Sequence, residues 1–296
     1  MFDYKLIEAL AMVAQESGFE KAAGRLHITQ SAVSQRIKML EEQVGQVLLA
    51  RTNPPRATAA GQRMIKHYLQ VKRLEGDLLD TLPTARSSQP VVMAVGINDD
   101  SLATWFLDAV EGFLRQTKVY LDLRPDDQEQ THRMLKNGEV IGCVSAKDQA
   151  MQGCLVDYLG RMDYRMLATP EFFSTWFTGG LTSEVVGRAP WVVFNRKDEL
   201  HLRFFEQAGI HVPAHLNVHY IPSSEKFVDF ITKGLACGML PDLQGAPVLK
   251  SGRLVELQPD TVVTVRLYWH CWNLKSGLLD KFRGHLVSRA RECLKQ

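Results

Sequence analysis

Two prolines bracket a polar stretch, PTARSSQP (Pro83 to Pro90), and the hydrophobic pattern changes across it. Proline lacks an N–H and fixes φ, so neither a helix nor a central strand runs through such a segment. The stretch therefore reads as a polar, proline-bounded hinge between two differently patterned parts of the chain. Before it, apolar residues recur at helical spacing; after it, short apolar runs alternate with amphipathic ones. The 296 residues suffice for two or three compact units. The expected division is a first unit at 1–58, a linker helix with its hinge at 59–89, and an α/β unit at 90–296.

In the first unit, Leu6, Leu10 and Val13 form a helical stripe ending at Ser17-Gly18, and Phe19, Ala22, Ala23 and Leu26 form a second. His27-Ile28 make a tight turn. Thr29 is a natural N-cap for a third helix, because its hydroxyl can accept a first-turn N–H. Val47 to Arg51 reads as extended, and the two prolines of NPPRA leave a projecting loop. Thr58 caps a long helix running to about Leu82. Its positions Met64, Tyr68, Val71, Leu74, Leu78 and Leu82 alternate spacings of three and four, a seam suited to a partner helix. The expected assembly is a homodimer, with a homotetramer left open; the competing reading is a stripe docked on its own chain.

The third helix has two unlike faces. With Val33 as origin and 100° per residue, Ile37, Leu40 and Val44 fall within about 40° and pack inward. Ser31, Ser34, Gln35 and Lys38 cluster opposite, Arg36 lies on one flank, and Gln30 stands at the helix start. That outer face carries no acid, and Gln, Arg and Lys are side chains that pair with base edges. The net charge of +2 does not by itself announce a nucleic-acid binder, but from Lys21 to Arg56 six cations face two acids. A helix, a tight turn, a polar-faced helix and a basic loop bearing Pro55, with Arg51 and Arg56 on either side, make a winged helix-turn-helix. The expected partner is double-stranded DNA, contacted by Thr29, Gln30, Ser31, Ser34, Gln35, Arg36, Lys38, Arg51, Pro55 and Arg56.

After the hinge, extended runs at 91–97, 119–123, 140–146, 164–169, 191–195, 218–221, 237–240 and 262–272 alternate with helices at 101–115, 128–136, from 199, from 224, and 276–294. A parallel sheet with covering helices fits that alternation. The reading is two α/β lobes, lobe I at 90–162 and 266–296 and lobe II at 163–265.

The run Thr29 to Glu41, TQSAVSQRIKMLE, closely resembles the recognition segment of LysR-type transcriptional regulators. FEKAAGRL resembles the second helix of that family, and LLART with ATAAGQ its wing and linker start. The likeness covers essentially the whole chain, and implies a periplasmic-binding-protein-like, two-lobed effector domain. The wing departs from the commonest pattern, since Pro54-Pro55-Arg56 stands where many members have a basic residue followed by an aliphatic strand. NPPRAT, DSLATWFL, SSEKFV and LYWH together look like the arginine- and lysine-responsive branch, also described as chromosome replication initiation inhibitors. The resemblance implies control of amino-acid export or biosynthesis genes, and contact with RNA polymerase if the regulator is an activator.

In open α/β sheets ligands sit beyond the carboxyl ends of strands, near helix N-termini. One such junction holds Asn98, Asp99, Asp100 and Ser101, with Ser101 expected to cap the helix and hold a ligand carboxylate. Ser145 ends another strand. The second lobe offers Asn195, then Ser223, Ser224 and Glu225 at a helix start. Each serine alone reads as an ordinary N-cap and each acid as a first-turn acid. As opposed lobes lined with carboxylates and hydroxyls, they suit a basic amino acid, L-lysine or L-arginine, with no cofactor.

Five cysteines at 143, 154, 237, 271 and 293 have no metal-ligand spacing and read as reduced, packed thiols. His270 reads as a strand residue rather than a metal ligand or catalytic base, and Trp105, Trp269 and Trp272 as core or rim aromatics. No nucleophile elbow, P-loop or HExxH occurs, so no catalytic residues are expected. With no charged-then-apolar leader and no long apolar run, the chain reads as cytoplasmic and off the membrane. The alternatives are a regulator of the same family with an unrelated small-molecule effector, and a solute-binding protein.

Overall fold

The computed structural model describes residues 2–81, 91–126 and 128–296; Leu82 of the seam and the Pro83–Pro90 hinge lie outside them. The first unit is α1 (Tyr4–Glu16), α2 (Phe19–Leu26), α3 (Gln30–Val44), β1 (Leu49–Ala50), β2 (Arg56–Ala57) and α4 (Ala59–Thr81). Asp3 caps α1 by accepting from Lys5 N, and Ser17, left-handed, ends it. Thr29 Oγ1 accepts from Ala32 N at 3.2 Å, so the expected cap of α3 is present. Ile7, Leu10, Val13, Ala22, Val33, Ile37, Leu40 and Leu48 close one core. Each large aliphatic among them contributes roughly 1.5–3 kcal/mol on burial.

The seam on α4 is divided, which corrects its reading as one uniform stripe. Met64 and Tyr68 pack on the core of the first unit, and Tyr68 Oη donates to Glu8 Oε1 at 3.0 Å. Leu69 packs against Leu135 and Val140 of the second unit. Farther along, Leu74 is 39% exposed and Leu78 61%. The apolar pattern therefore serves two neighbours within the chain before its outer half turns to solvent.

The second unit runs β3 (Val91–Ile97), α5 (Asp99–Thr104), α6 (Phe106–Gln116), β4 (Val119–Pro125), α7 (Gln128–Asn137), β5 (Gly142–Ser145), β6 (Cys154–Ala168), α8 (Pro170–Trp176), α9 (Ser183–Arg188) and β7 (Pro190–Val193). It continues with α10 (Leu200–Gln207), β8 (Asn217–Tyr220), α11 (Ser224–Thr232), β9 (Gly238–Pro241), α12 (Asp242–Lys250), β10 (Val255–Glu256), β11 (Val263–Trp272) and α13 (Gly277–Cys293). The helix expected from Ser101 to Arg115 is two helices, α5 and α6, broken at Trp105, whose side chain is sunk in the core.

The expected parallel sheet is present in part and mixed with antiparallel strands. β3 pairs parallel with β4 and β5, and β7 with β8. The strands between those groups, β6 and β11, are antiparallel to each other and to β9, β10 and β5. They carry the chain out of one lobe and back, so they must run in opposite directions. Their pairing extends from Val263↔Tyr164 to Trp272↔Cys154, with a register shift between Leu267 and Tyr268. Opposite the shift lies Gly160 at φ +142, where a Cβ would stand 2.6 Å from Leu294 Cβ. Only glycine suits that backbone and that contact.

Candidate nucleic-acid interface and effector cleft

On α3, Val33, Ile37 and Leu40 are buried while Gln30, Ser31, Ser34, Gln35 and Lys38 are exposed and Arg36 is half-buried. The 100° spacing produces this split directly. Gln30, Ser34 and Lys38 line a cleft of about 680 Å³ with Lys21, Arg51, Thr52, Asn53 and Pro55. The far wall is the wing, where β1 and β2 pair as Leu49↔Ala57 and Ala50↔Arg56. The Asn53–Pro54 peptide is cis, and Thr52 Oγ1 donates to Pro54 O at 2.7 Å.

Ser31, Gln35, Arg36 and Arg56 lie outside that cleft, with Gln35 and Arg56 exposed. Thr29 is engaged twice, as the cap and through its hydroxyl to Ser31 Oγ at 2.9 Å. Lys38 stands 3.7 Å from Glu42, both largely exposed, a pairing weak enough to exchange for a phosphate or base. Sequence reasoning counted Lys21 only as charge and passed over Thr52 and Asn53; the charge excess around them was the available signal.

A second cleft, of about 650 Å³, opens between the lobes. From lobe I it takes Asn98, Asp99, Asp100 and Asp126; from the loop after β7 it takes Phe194, Asn195, Arg196, Lys197, Asp198 and Glu199; Tyr164 and Arg203 complete its polar lining. Asp198 organises that loop by accepting from Phe194 N at 3.2 Å and Leu200 N at 3.0 Å. Asn195 Oδ1 accepts from Lys197 N at 2.7 Å. Arg196 stacks over the Tyr220 ring at 4.8 Å, and Arg203 Nη2 donates to Thr264 O at 3.0 Å.

Asp99 and Asp100 reach across to the start of α11. Ser224 N donates to Asp99 Oδ2, Ser224 Oγ donates to Asp100 Oδ1 at 2.6 Å, and Tyr164 Oη donates to Asp100 Oδ2 at 2.8 Å. Burial pushes the Asp100 carboxyl above the usual carboxylate range, against the two hydroxyl donors, which pull it down. Burial and the neighbouring Asp100 carboxylate drive the Tyr164 phenol well above its ordinary value.

Several expected residues lie elsewhere. Ser101 does not cap a helix: Asn98 is the N-cap of α5, and Ser101 falls inside it, fully buried, its hydroxyl without a hydrogen-bond partner among the described residues. The acids Asp99 and Asp100 start the helix two residues earlier than the serine suggested. Ser145 is fully buried and already bonded, to His132 Nδ1 at 2.9 Å and as acceptor from Lys147 N at 3.2 Å. Ser223 caps α11, Ser224 sits beneath it, and Glu225 points to solvent outside the cleft. His270 lies in β11, donating from Nε2 to Lys147 O at 2.7 Å and packed edge-on to His132 at 4.5 Å. Asp126, Arg196, Lys197, Asp198, Glu199 and Arg203 were not singled out; FNRKDE after an apolar run is the signal that marks most of them. Among the described residues no helix is long and apolar enough to cross a membrane.

Comparison with known proteins adds two family matches. Residues 4–62 match the bacterial regulatory helix-turn-helix protein, lysR family, and residues 92–291 match the LysR substrate binding domain. The chain is 40% identical over 294 residues to the HTH-type transcriptional regulator ArgP of Photobacterium profundum, covering 99% of each. Its structure matches that of ArgP from Mycobacterium tuberculosis with a TM-score of 0.88 at 33% identity, over 100% of this chain and 99% of the other. Full-length LysG from Corynebacterium glutamicum, solved with bound effector Arg, matches at 0.81 and 31% identity over 100% of both.

Proposed function

The chain belongs to the LysR family of bacterial transcriptional regulators, and we propose that it reads its operator as a homodimer whose interlobe cleft takes L-lysine or L-arginine. Through that effector it tunes genes of amino-acid transport or biosynthesis, engaging RNA polymerase where it activates. The observation that carries the effector reading is the charge of the cleft: Asp99, Asp100, Asp126, Asp198 and Glu199 face the same space as Arg196, Lys197 and Arg203. A basic amino acid presents one carboxylate and two cations, and that mixture of partners matches it. Likeness to ArgP and to LysG with bound effector Arg supports the same ligand class.

Calorimetry on the full chain tests it. Lysine or arginine should bind more tightly than leucine, and Asp126→Asn should weaken binding by about 1.5–3 kcal/mol, the scale of a charge-assisted hydrogen bond. Equal affinity for leucine and lysine overturns the reading. The three cations favour one alternative, an anionic metabolite; it would bind more weakly after Arg203→Gln and be indifferent to Asp126→Asn.

A further inference from the structure

One carboxylate joins the wing to α3. Glu41, near the end of that helix, turns Oε1 onto the segment entering the wing, accepting from Leu48 N at 2.8 Å and from Leu49 N at 3.1 Å. The start of α4 grips the carbonyl side of the same segment. Thr58 Oγ1 donates to Val47 O at 2.8 Å, Thr58 N donates to Leu48 O at 2.9 Å, and a Cβ on Gly61 would lie 2.0 Å from Leu48 O. Residues 47–49 are thus clamped between the polar-faced helix and the linker helix.

We infer that Glu41 is a positioning residue for DNA recognition, setting the offset between the wing cations Arg51 and Arg56 and the outer face of α3. The wing sheet has two residues per strand, too short to hold its place by pairing alone. Leu48 and Leu49 are buried, so their N–H groups have no ready substitute for the carboxylate. A charged acceptor serving two amides is stronger than a neutral one. Glu41 lines the same cleft as Lys38 and Arg51, but its role in holding the wing needs no contact of its own with DNA.

The test uses the full chain and a duplex that the wild type selects from a random library, with affinity measured against salt. Arg56→Ala alone should flatten the salt slope by about one. Glu41→Ala, which displaces Arg51 as well as Arg56, should flatten it by at least as much, and adding Arg56→Ala to it should change affinity by less than about twofold, by double-mutant logic. Gln35→Ala should keep its full effect in the Glu41→Ala background. Glu41→Gln, whose amide oxygen can still accept, should restore the slope. If Glu41→Ala does not fold, Glu41→Met replaces it in the same cycle. Independent, multiplying effects of Glu41 and Arg56 replacement overturn the inference, as does equal loss of the Arg56 and Gln35 effects, which is what general destabilisation produces.

Discussion

Ser224, the first residue of α11, donates its N–H to Asp99 Oδ2 at 2.5 Å, so a carboxylate of one lobe sits at a helix N-terminus of the other. That is where the helix dipole favours negative charge. The Ser224 hydroxyl meanwhile serves Asp100, whose other oxygen is held by Tyr164. Ser224→Ala leaves Asp100 with one of its two hydroxyl donors. The expected cost is about 1–3 kcal/mol, read by urea unfolding of the full chain. An unchanged midpoint would mean that water replaces the hydroxyl without loss.

Base reading and phosphate reading should separate on the DNA-binding unit. Gln35→Ala should cost roughly 1–3 kcal/mol at its preferred base pair. Arg56→Ala should weaken all duplexes alike. Competition binding against a single-base operator series distinguishes them, and unaltered sequence preference after Gln35→Ala would take the outer face of α3 out of base recognition.

Dimerisation should rest on the outer half of α4, because Met64 and Tyr68 are occupied within the chain. Leu74 is 39% exposed and Val71 half-buried beside it. Replacing both with Asp should yield monomers by light scattering, since two buried charges per helix outweigh a short apolar seam. A persistent dimer would move the main interface to the effector lobes.

Stability should fall in mild acid. Burial, then the neighbouring His270 and Lys147, hold the His132 imidazole at about 4 instead of 6.5. Below 6.5 the unfolded chain takes up a proton that the folded chain refuses until about 4. The stability present above 6.5 is therefore lost as pH falls through that window, by about 2 kcal/mol between pH 7.5 and pH 5. His270 is shifted the same way by burial. Denaturation curves at both pH values should converge for His132→Gln relative to the wild type.

Local signals were legible where one neighbour decides the structure. Phe19–Leu26 and Val91–Ile97 have the bounds that their periodicity gives. The first half of β6 was missed because Asp157, Arg161 and Asp163 interrupt the continuous apolar run that marks the other strands. Those charges are answered from far along the chain: Asp157 by Arg283, and Asp163 by Thr264 and Lys295. Among the site residues, Asn98, Asp99, Asp100 and Asn195 reach the cleft because strand ends announce them. Ser145 reads as equally available, and nothing local reveals that His132 will occupy its hydroxyl. Arg196 to Glu199 look like a solvated loop until Asp198 folds the loop back on its own amides.

The ribbon formed by β6 and β11 has a mechanical consequence. Hydrogen bonds along its whole length resist stretching and sliding, so the lobes cannot separate by translation without breaking the ladder. Twist is the soft coordinate of a two-stranded ribbon, and the shift at Leu267–Tyr268 with Gly160 beside it is where twist concentrates. The ribbon is a torsion bar: an effector bound between the lobes, as proposed, would act beyond the cleft as rotation about the strand axis, a motion whose arc grows with distance from that axis.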